Sequence, residues 1–221
     1  MAWYVFALVD QVPSGAAGKG LTGALSLRKV AGAFLVVERR ADVPPLAFST
    51  LKKHQDVVSR LAKHVPAILP VRFGTLLEPA GLEEAVDERD EEIAEAFDLV
   101  RGRVQFTWRA GGGRRLEAGG RKREPRFEQP KSGAEYLRRA ARAASPAPPA
   151  TFRPLRVKVA PLAVRQRYQP WTATLPEAVY HLVAKSDVRR YNAAAAALRK
   201  ASPLLAVTGP FPPYAFAPEI L

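Results

Sequence analysis

The sequence predicts an α+β protein built as two units. Three observations carry this. Short runs rich in aromatic and β-branched residues alternate with stretches whose apolar residues recur every three or four positions. Their order is β-β-β-α-β-α, then β-α-(irregular)-β-α-β, which divides into two α+β units of similar size. Hydrophobic residues make up 48% of the 221-residue chain and charged residues 25%, so there is a core to bury and wholesale disorder is excluded.

Trp3 to Val9 is apolar throughout and reads as a buried strand. It has no basic leader or small-residue cleavage site, and Asp10 ends it far short of a membrane span. A glycine loop, Ser14 to Gly20, follows. Strands are expected around Leu21–Val30 and Ala33–Glu38, turning at Ala31-Gly32. Ser49 or Thr50 caps a helix to about Val65, with Leu51, His54, Val58, Leu61 and Val65 on one face, and Pro66 stops it. Ile68 to Phe73 is a strand ending at Gly74. The next helix runs from about Leu82 to Val100, with Leu82, Val86, Ile93, Phe97 and Val100 inward and its carboxylates outward.

Val104 to Trp108 alternates apolar and polar residues as a half-buried strand does. Gly111 to Lys131 is rich in Gly and Arg, without periodicity, and reads as a mobile insertion. Ser132 caps a short helix to about Ala144, which a Pro/Ala stretch breaks. Between Phe152 and Tyr168 the pattern is ambiguous, with Pro154 and Pro161 arguing against one continuous helix. Ala178–Ala184 is a strand, Asp187–Ala201 a helix with Val188, Tyr191, Ala195 and Leu198 on one face, and Leu204–Thr208 a last strand before a proline- and aromatic-rich tail. The domains expected are residues 1–101 and 102–221, the tail being 208–221.

Cysteine is absent, so disulfides, thiolate metal sites and cysteine nucleophiles are excluded, which fits a reducing cytoplasm. The net charge of +13 is uneven. Glu78 to Asp98 holds ten acidic residues and one basic one, while Arg101 to Arg142 holds thirteen basic and four acidic. Such a dipolar layout suits docking onto a charged partner.

No active site emerges. The glycine loop lacks the four-residue spacing, the Ser or Thr after Lys19 and the following helix of a phosphate-binding loop. His54 and His64 are ten residues apart, about 1000° on a helix, so they face different ways. Neither has a ligand at metal spacing, and His54 reads as a packed core residue. No Ser/His/Asp set can be assembled with His181 or the others. The basic segment 101–142, with Phe106, Trp108, Phe127 and Tyr136, raises nucleic-acid binding as the alternative function. No nucleic-acid motif accompanies it, and Phe106 and Trp108 alternate as inward strand residues.

Several segments together resemble one family. They are His54 and its helix into Ile68-Leu69-Pro70-Val71-Arg72-Phe73-Gly74-Thr75, then Arg101-Gly102-Arg103-Val104-Gln105 and Ser132-Gly133-Ala134-Glu135-Tyr136-Leu137. The last is Thr208-Gly209-Pro210-Phe211-Pro212-Pro213-Tyr214-Ala215-Phe216. In this order they resemble the gas vesicle protein F/L family (GvpF/GvpL), from the first strand to the tail. Gln55 and Gln105 stand where the family often has Glu, Phe211 stands for a more frequent Trp, and residues 111–169 depart most.

The resemblance implies a non-enzymatic accessory or minor structural protein of gas vesicle formation, located at the gas vesicle within the cytoplasm. Its implied partners are the gas vesicle shell protein and other gas vesicle proteins. No cofactor, metal, small-molecule substrate or membrane is expected. It also implies two α+β domains, the second a modified ferredoxin-like unit followed by the Pro/aromatic tail. The family-motif residues expected to carry interactions are His54, Arg72, Phe73, Gly74, Gly102, Tyr136, Gly209, Pro210, Phe211, Pro213, Tyr214 and Phe216. Prolines hold such a tail extended and its aromatics serve as anchors. Pinning the two domains together is favoured over an exposed docking strip, because large aromatics rarely stay exposed.

Overall fold

The computed structural model describes residues 2–14, 18–30, 32–78, 86, 89–110, 147–172 and 176–218. The fold is α+β, as the sequence predicts, and contains two antiparallel sheets. The chain forms two compact units, one of residues 1–105, 182–188 and 209–221, the other of residues 106–181 and 189–208. The stretches expected at Gly15–Ala17, Leu82–Glu84 and 111–144, with Tyr136, lie outside the described residues.

In the first unit β1 (Ala2–Val9) is the central strand. On one side it pairs with β3 (Ala33–Arg40), beyond which lies β2 (Ser26–Val30). On the other it pairs with β4 (Ile68–Pro70) and then β5 (Leu76–Leu77). Register with β3 runs from Ala2↔Arg40 to Val9↔Phe34 and shifts between Val5 and Ala7, leaving Phe6 as the extra residue of a bulge. Trp3 to Val9 are all buried, which is why this strand reads as a continuous apolar run rather than an alternating one.

Helix α1 (Phe48–Leu61) covers the sheet with His54, Val57, Val58 and Leu61. Fourteen residues make a marginal helix alone. Burying Val57, Val58 and Leu61 against Tyr4, Phe6, Val9, Val36 and Ile68 supplies about 2 kcal/mol per side chain. Thr50 is not the N-cap: it sits in the first turn, its hydroxyl accepting from the Ala47 N–H at 3.2 Å and lying 2.6 Å from the Pro45 carbonyl. The buried stripe is also shorter than predicted. Leu51 is 39% exposed because the first turn has no core beside it, Phe48 and Leu46 being exposed as well. The helix closes at Leu61 rather than Val65 through tighter i→i+3 bonds, Lys63 N–H to Arg60 and His64 N–H to Leu61.

Of the predicted strand Ile68–Phe73 only Ile68–Pro70 is strand, and residues 71–75 form a loop before β5. The chain leaves β1 after Pro70, with Val71 N–H donating to Phe6 at 2.9 Å, and returns at Thr75, whose carbonyl accepts from Val5 at 3.0 Å. Helix α2 (Asp90–Val100) buries Ile93, Ala96, Phe97 and Val100 against β4. Asp90, Glu91 and Glu92 occupy its first turn, where the helix dipole favours anions. Gly102 (φ +66°) ends it as a left-handed C-terminal glycine.

The second sheet has the order β7-β8-β6-β9, from β6 (Arg103–Ala110), β7 (Arg165–Gln169), β8 (Ala178–Ala184) and β9 (Leu205–Phe211). The ambiguous stretch resolves into a 3-10 turn at Ala150–Phe152, helix α3 (Arg153–Lys158) and a second 3-10 turn at Ala160–Leu162. Pro154 and Pro161 each fall at the start of a segment, where the missing N–H costs nothing. Helix α4 (Val188–Ala201) buries Tyr191, Ala195 and Leu198, as its spacing predicts. Strand β9 runs to Phe211 instead of stopping at Thr208: as an edge strand it tolerates Pro210, which is exposed and follows a cis peptide bond. No helix among the described residues is long and apolar enough to cross a membrane.

Candidate functional site

Four of the motif residues meet in the core of the first unit, around a tyrosine that sequence reasoning missed. Tyr4 Oη lies 2.8 Å from His54 Nδ1 and accepts from the Gly74 N–H at 3.3 Å. With Gly74 as its donor, Tyr4 gives its own proton to Nδ1, which assigns the imidazole proton to Nε2. Rings enclose the imidazole: Phe6 stacks on it at 5.3 Å and 22°, and Phe73 meets it edge-on at 5.7 Å. Tyr214, brought in from the tail, packs against the same cluster. Gly74 has φ +95°, a backbone state that a side chain strains, and so the loop after β4 needs glycine there.

The electrostatics of this cluster are those of a buried core. Burial lowers the His54 pKa to about 4; the Val71 backbone opposes this, but no hydrogen bond of normal geometry reaches Nε2 among the described residues. His54 is 3% exposed and neutral near pH 7. Burial, and secondarily the nearby Tyr4, push the Tyr214 phenol up, and its Oη is buried with no hydrogen-bond partner among the described residues. Burial also raises the Tyr4 pKa against the Gly74 hydrogen bond. The arrangement is a neutral aromatic core with two polar atoms that have no partner among the described residues.

The tail is a packed element of this unit. Pro212 and Pro213 are buried, and a 3-10 turn, Tyr214–Phe216, follows with Phe216 buried. The Ala215 N–H donates to Gln105 Oε1 at 2.7 Å, so the glutamine where the family often has glutamate supplies the carbonyl that holds the tail. Gly102 donates to the Pro66 carbonyl and accepts from the Lys185 N–H, both at 2.9 Å. Arg72, Gly209 and Pro210 are exposed, and Phe211 is half-buried. Tyr136 lies outside the described residues.

Two further polar constellations were not legible in advance. Glu38, at 1% exposure, accepts from the amides of Leu21 (2.5 Å), Thr22 (3.1 Å) and Gly23 (2.9 Å) and from the Thr22 hydroxyl (2.7 Å). Burial alone would raise its pKa, but these bonds together hold it below the usual carboxylate range. The turn after the glycine loop is therefore an anion nest filled by the protein's own carboxylate, and β2 starts five residues later than predicted because these residues wrap around it. In the second unit Trp108 Nε1–H donates to Tyr191 Oη at 2.6 Å, Tyr191 donates to His181 Nδ1 at 2.7 Å, and His181 Nε2–H donates to Gln166 Oε1 at 3.1 Å. Burial lowers the His181 pKa to about 4.

Among the described residues no three His, Cys, Asp or Glu side chains gather as a metal site. Phe106 and Trp108 point inward, at 1% and 0% exposure. Phe127 lies outside the described residues.

The model of the family described as "Gas vesicle synthesis protein GvpL/GvpF" matches residues 2–218. The crystal structure of gas vesicle protein GvpF from Microcystis aeruginosa is similar, with TM-score 0.71 and 14% identity over 98% of this chain and 99% of that one. The structure of GvpF from Anabaena sp. PCC7120 has TM-score 0.67 and 16% identity, with 98% of each chain covered. At these identities the likeness is one of fold. No curated protein sequence matches the chain.

Proposed function

The chain belongs to the GvpL/GvpF family of gas vesicle synthesis proteins, and from that premise we propose that it is a non-enzymatic accessory or minor structural protein of gas vesicle formation. In this reading it binds the vesicle shell protein and other vesicle proteins during assembly, at the gas vesicle within the cytoplasm. The observation that carries the reading is the family match from the first strand to the tail. The fold likeness to two GvpF structures supports it. So does the site's chemistry: a neutral, enclosed histidine with aromatic neighbours stabilises a scaffold and offers no group to a substrate.

The order β7-β8-β6-β9, with helical segments between β6 and β7 and α4 between β8 and β9, supports reading that part as a modified ferredoxin-like unit. The motif residues divide by exposure. His54, Pro213 and Phe216 are buried and, with the half-buried Phe73, Gly74 and Tyr214, hold the first unit in shape, while the exposed Gly209 and Pro210 lie at the surface where a partner could be met.

The test is capture by the tagged full chain at physiological salt, with purified shell protein in one arm and short DNA or RNA in the other. Capture of shell protein is expected. Retention of nucleic acid without shell protein would sink the reading in favour of a nucleic-acid-binding protein. Washing purified vesicles then separates the two roles, since a minor structural component stays and an assembly factor leaves.

A further inference from the structure

The net charge of the chain resides in one unit. Residues 106–181 and 189–208 contain twenty Lys and Arg and five Asp and Glu, a net +15, while the remaining residues sum to −2. Five carboxylates cannot neutralise twenty cations from within. One of the five, Glu177, already accepts from the Tyr168 hydroxyl at 3.3 Å. So large a field selects an anionic partner and repels a second copy of the same unit.

Strand β7 shows where and how such a partner would sit. It is the terminal strand of its sheet, so one of its edges has no partner strand among the described residues, and Arg165, Gln166 and Arg167 are exposed. Its two faces differ. Gln169 accepts from the Tyr180 hydroxyl at 2.8 Å, and strand alternation puts Arg165 and Arg167 on that same face. Arg109 and Arg167 both act electrostatically on Tyr180, which makes this face cationic. Gln166 and Tyr168 lie on the opposite face, against His181 and Phe152. There a cavity of about 170 Å³ is lined in part by Phe152, Leu155, Val179 and Gln166, with Arg153 and Arg156 also in its wall.

We propose that β7 is a docking edge for an extended acidic protein segment in which acidic and apolar residues alternate. Added beside β7, such a segment takes main-chain hydrogen bonds from the open edge. Its period of two sets its carboxylates beside Arg165 and Arg167 and its apolar side chains over the cavity. Arginines on an edge also guard it against pairing with other copies, and here that guard doubles as the selector for opposite charge. The geometry favours a polypeptide over a nucleic acid. Main-chain hydrogen bonds along an open strand edge are available only to a polypeptide, and of the described aromatic residues near β7 Trp171 is exposed while Phe106, Trp108, Phe152 and Tyr191 are at most 2% exposed. The proposal stands on the charge and edge of this unit and does not need the vesicle assignment, which its failure would leave intact.

The experiment is fluorescence anisotropy on the full chain at physiological salt, with a labelled decapeptide of alternating Glu and Val as probe. A Glu/Ser decapeptide, a Glu/Val decapeptide with N-methylated valines and a decameric oligo(dT) are the comparators. Saturable binding of the Glu/Val probe is expected, about tenfold weaker with Glu/Ser and with N-methylation. The double variant R165E/R167E should lose about tenfold, whereas R189E/R190E, the same charge change on α4, should lose no more than about threefold. Circular dichroism of both variants confirms that they are folded. Absence of Glu/Val binding, insensitivity to N-methylation, equal losses in the two variants, or tighter binding of oligo(dT) would each overturn the proposal.

Discussion

Tyr4→Phe removes one oxygen from the centre of the first unit and should destabilise it by about 2 kcal/mol. That oxygen bonds His54 Nδ1 at 2.8 Å and the Gly74 N–H at 3.3 Å. The short bond sets most of the cost, because Nδ1 would be stranded beside Phe6 and Phe73 where water does not reach. The longer bond, at a half-buried glycine, adds little. Tyr214→Phe is the control within the same cluster. Its hydroxyl is buried without a partner among the described residues, so removing it should be neutral or stabilising, by up to about 1 kcal/mol. Hydrogen-exchange mass spectrometry on peptides from β1 and α1 reads the difference locally, and about 2 kcal/mol is about a thirtyfold acceleration of the slowest amides. Equal effects of the two substitutions, or a larger one at Tyr214, would refute the hydrogen-bond accounting.

Acid should weaken both units through their buried histidines. The ordinary histidine pKa is near 6.5 and that of His54 and His181 in the fold is about 4, so the unfolded chain binds more protons across that window. Their contribution, about 3 kcal/mol each, is complete above pH 6.5 and lost as pH falls towards 4; urea midpoints should drop over that range, and a flat profile would contradict the assignment. Glu38 acts at lower pH, its contribution being present above its unfolded value of 4.5 and lost as pH falls through its depressed folded pKa. Glu38→Gln should cost about 2–4 kcal/mol by turning an amide donor towards the donors of Leu21, Thr22 and Gly23, as thermal unfolding would show. Gly20→Ala should also destabilise, because its Cβ would stand 2.1 Å from Glu38 Oε2; an unchanged melting temperature would mean that the loop yields freely.

The sequence by itself determined the elements and their faces. A short continuous apolar run rich in aromatic and β-branched residues reads as a strand covered on both sides, and β1 is one. Three- and four-residue spacing fixed the buried faces of α2 and α4, and alternation turned Phe106 and Trp108 inward. These are local consequences of backbone period, readable one segment at a time. The family motifs were legible too, because residues such as Gly74 and Gly102 answer to a local backbone state with positive φ.

Only the tertiary structure decided what those motifs do. His54 reads as core from its helix face, but its partner is fifty residues away on β1, inside a run where one tyrosine hydroxyl is inconspicuous. Glu38 carries no local sign that it will fill a loop fifteen to seventeen residues earlier. The edges of helix and strand erred for the same reason. Leu51 has apolar character but stays 39% exposed, and the pairing of β4 with β1 stops at Ala7↔Pro70, next to the bulge at Phe6. Burial of a polar atom depends on which distant segment arrives beside it, and no period along the chain encodes that arrival.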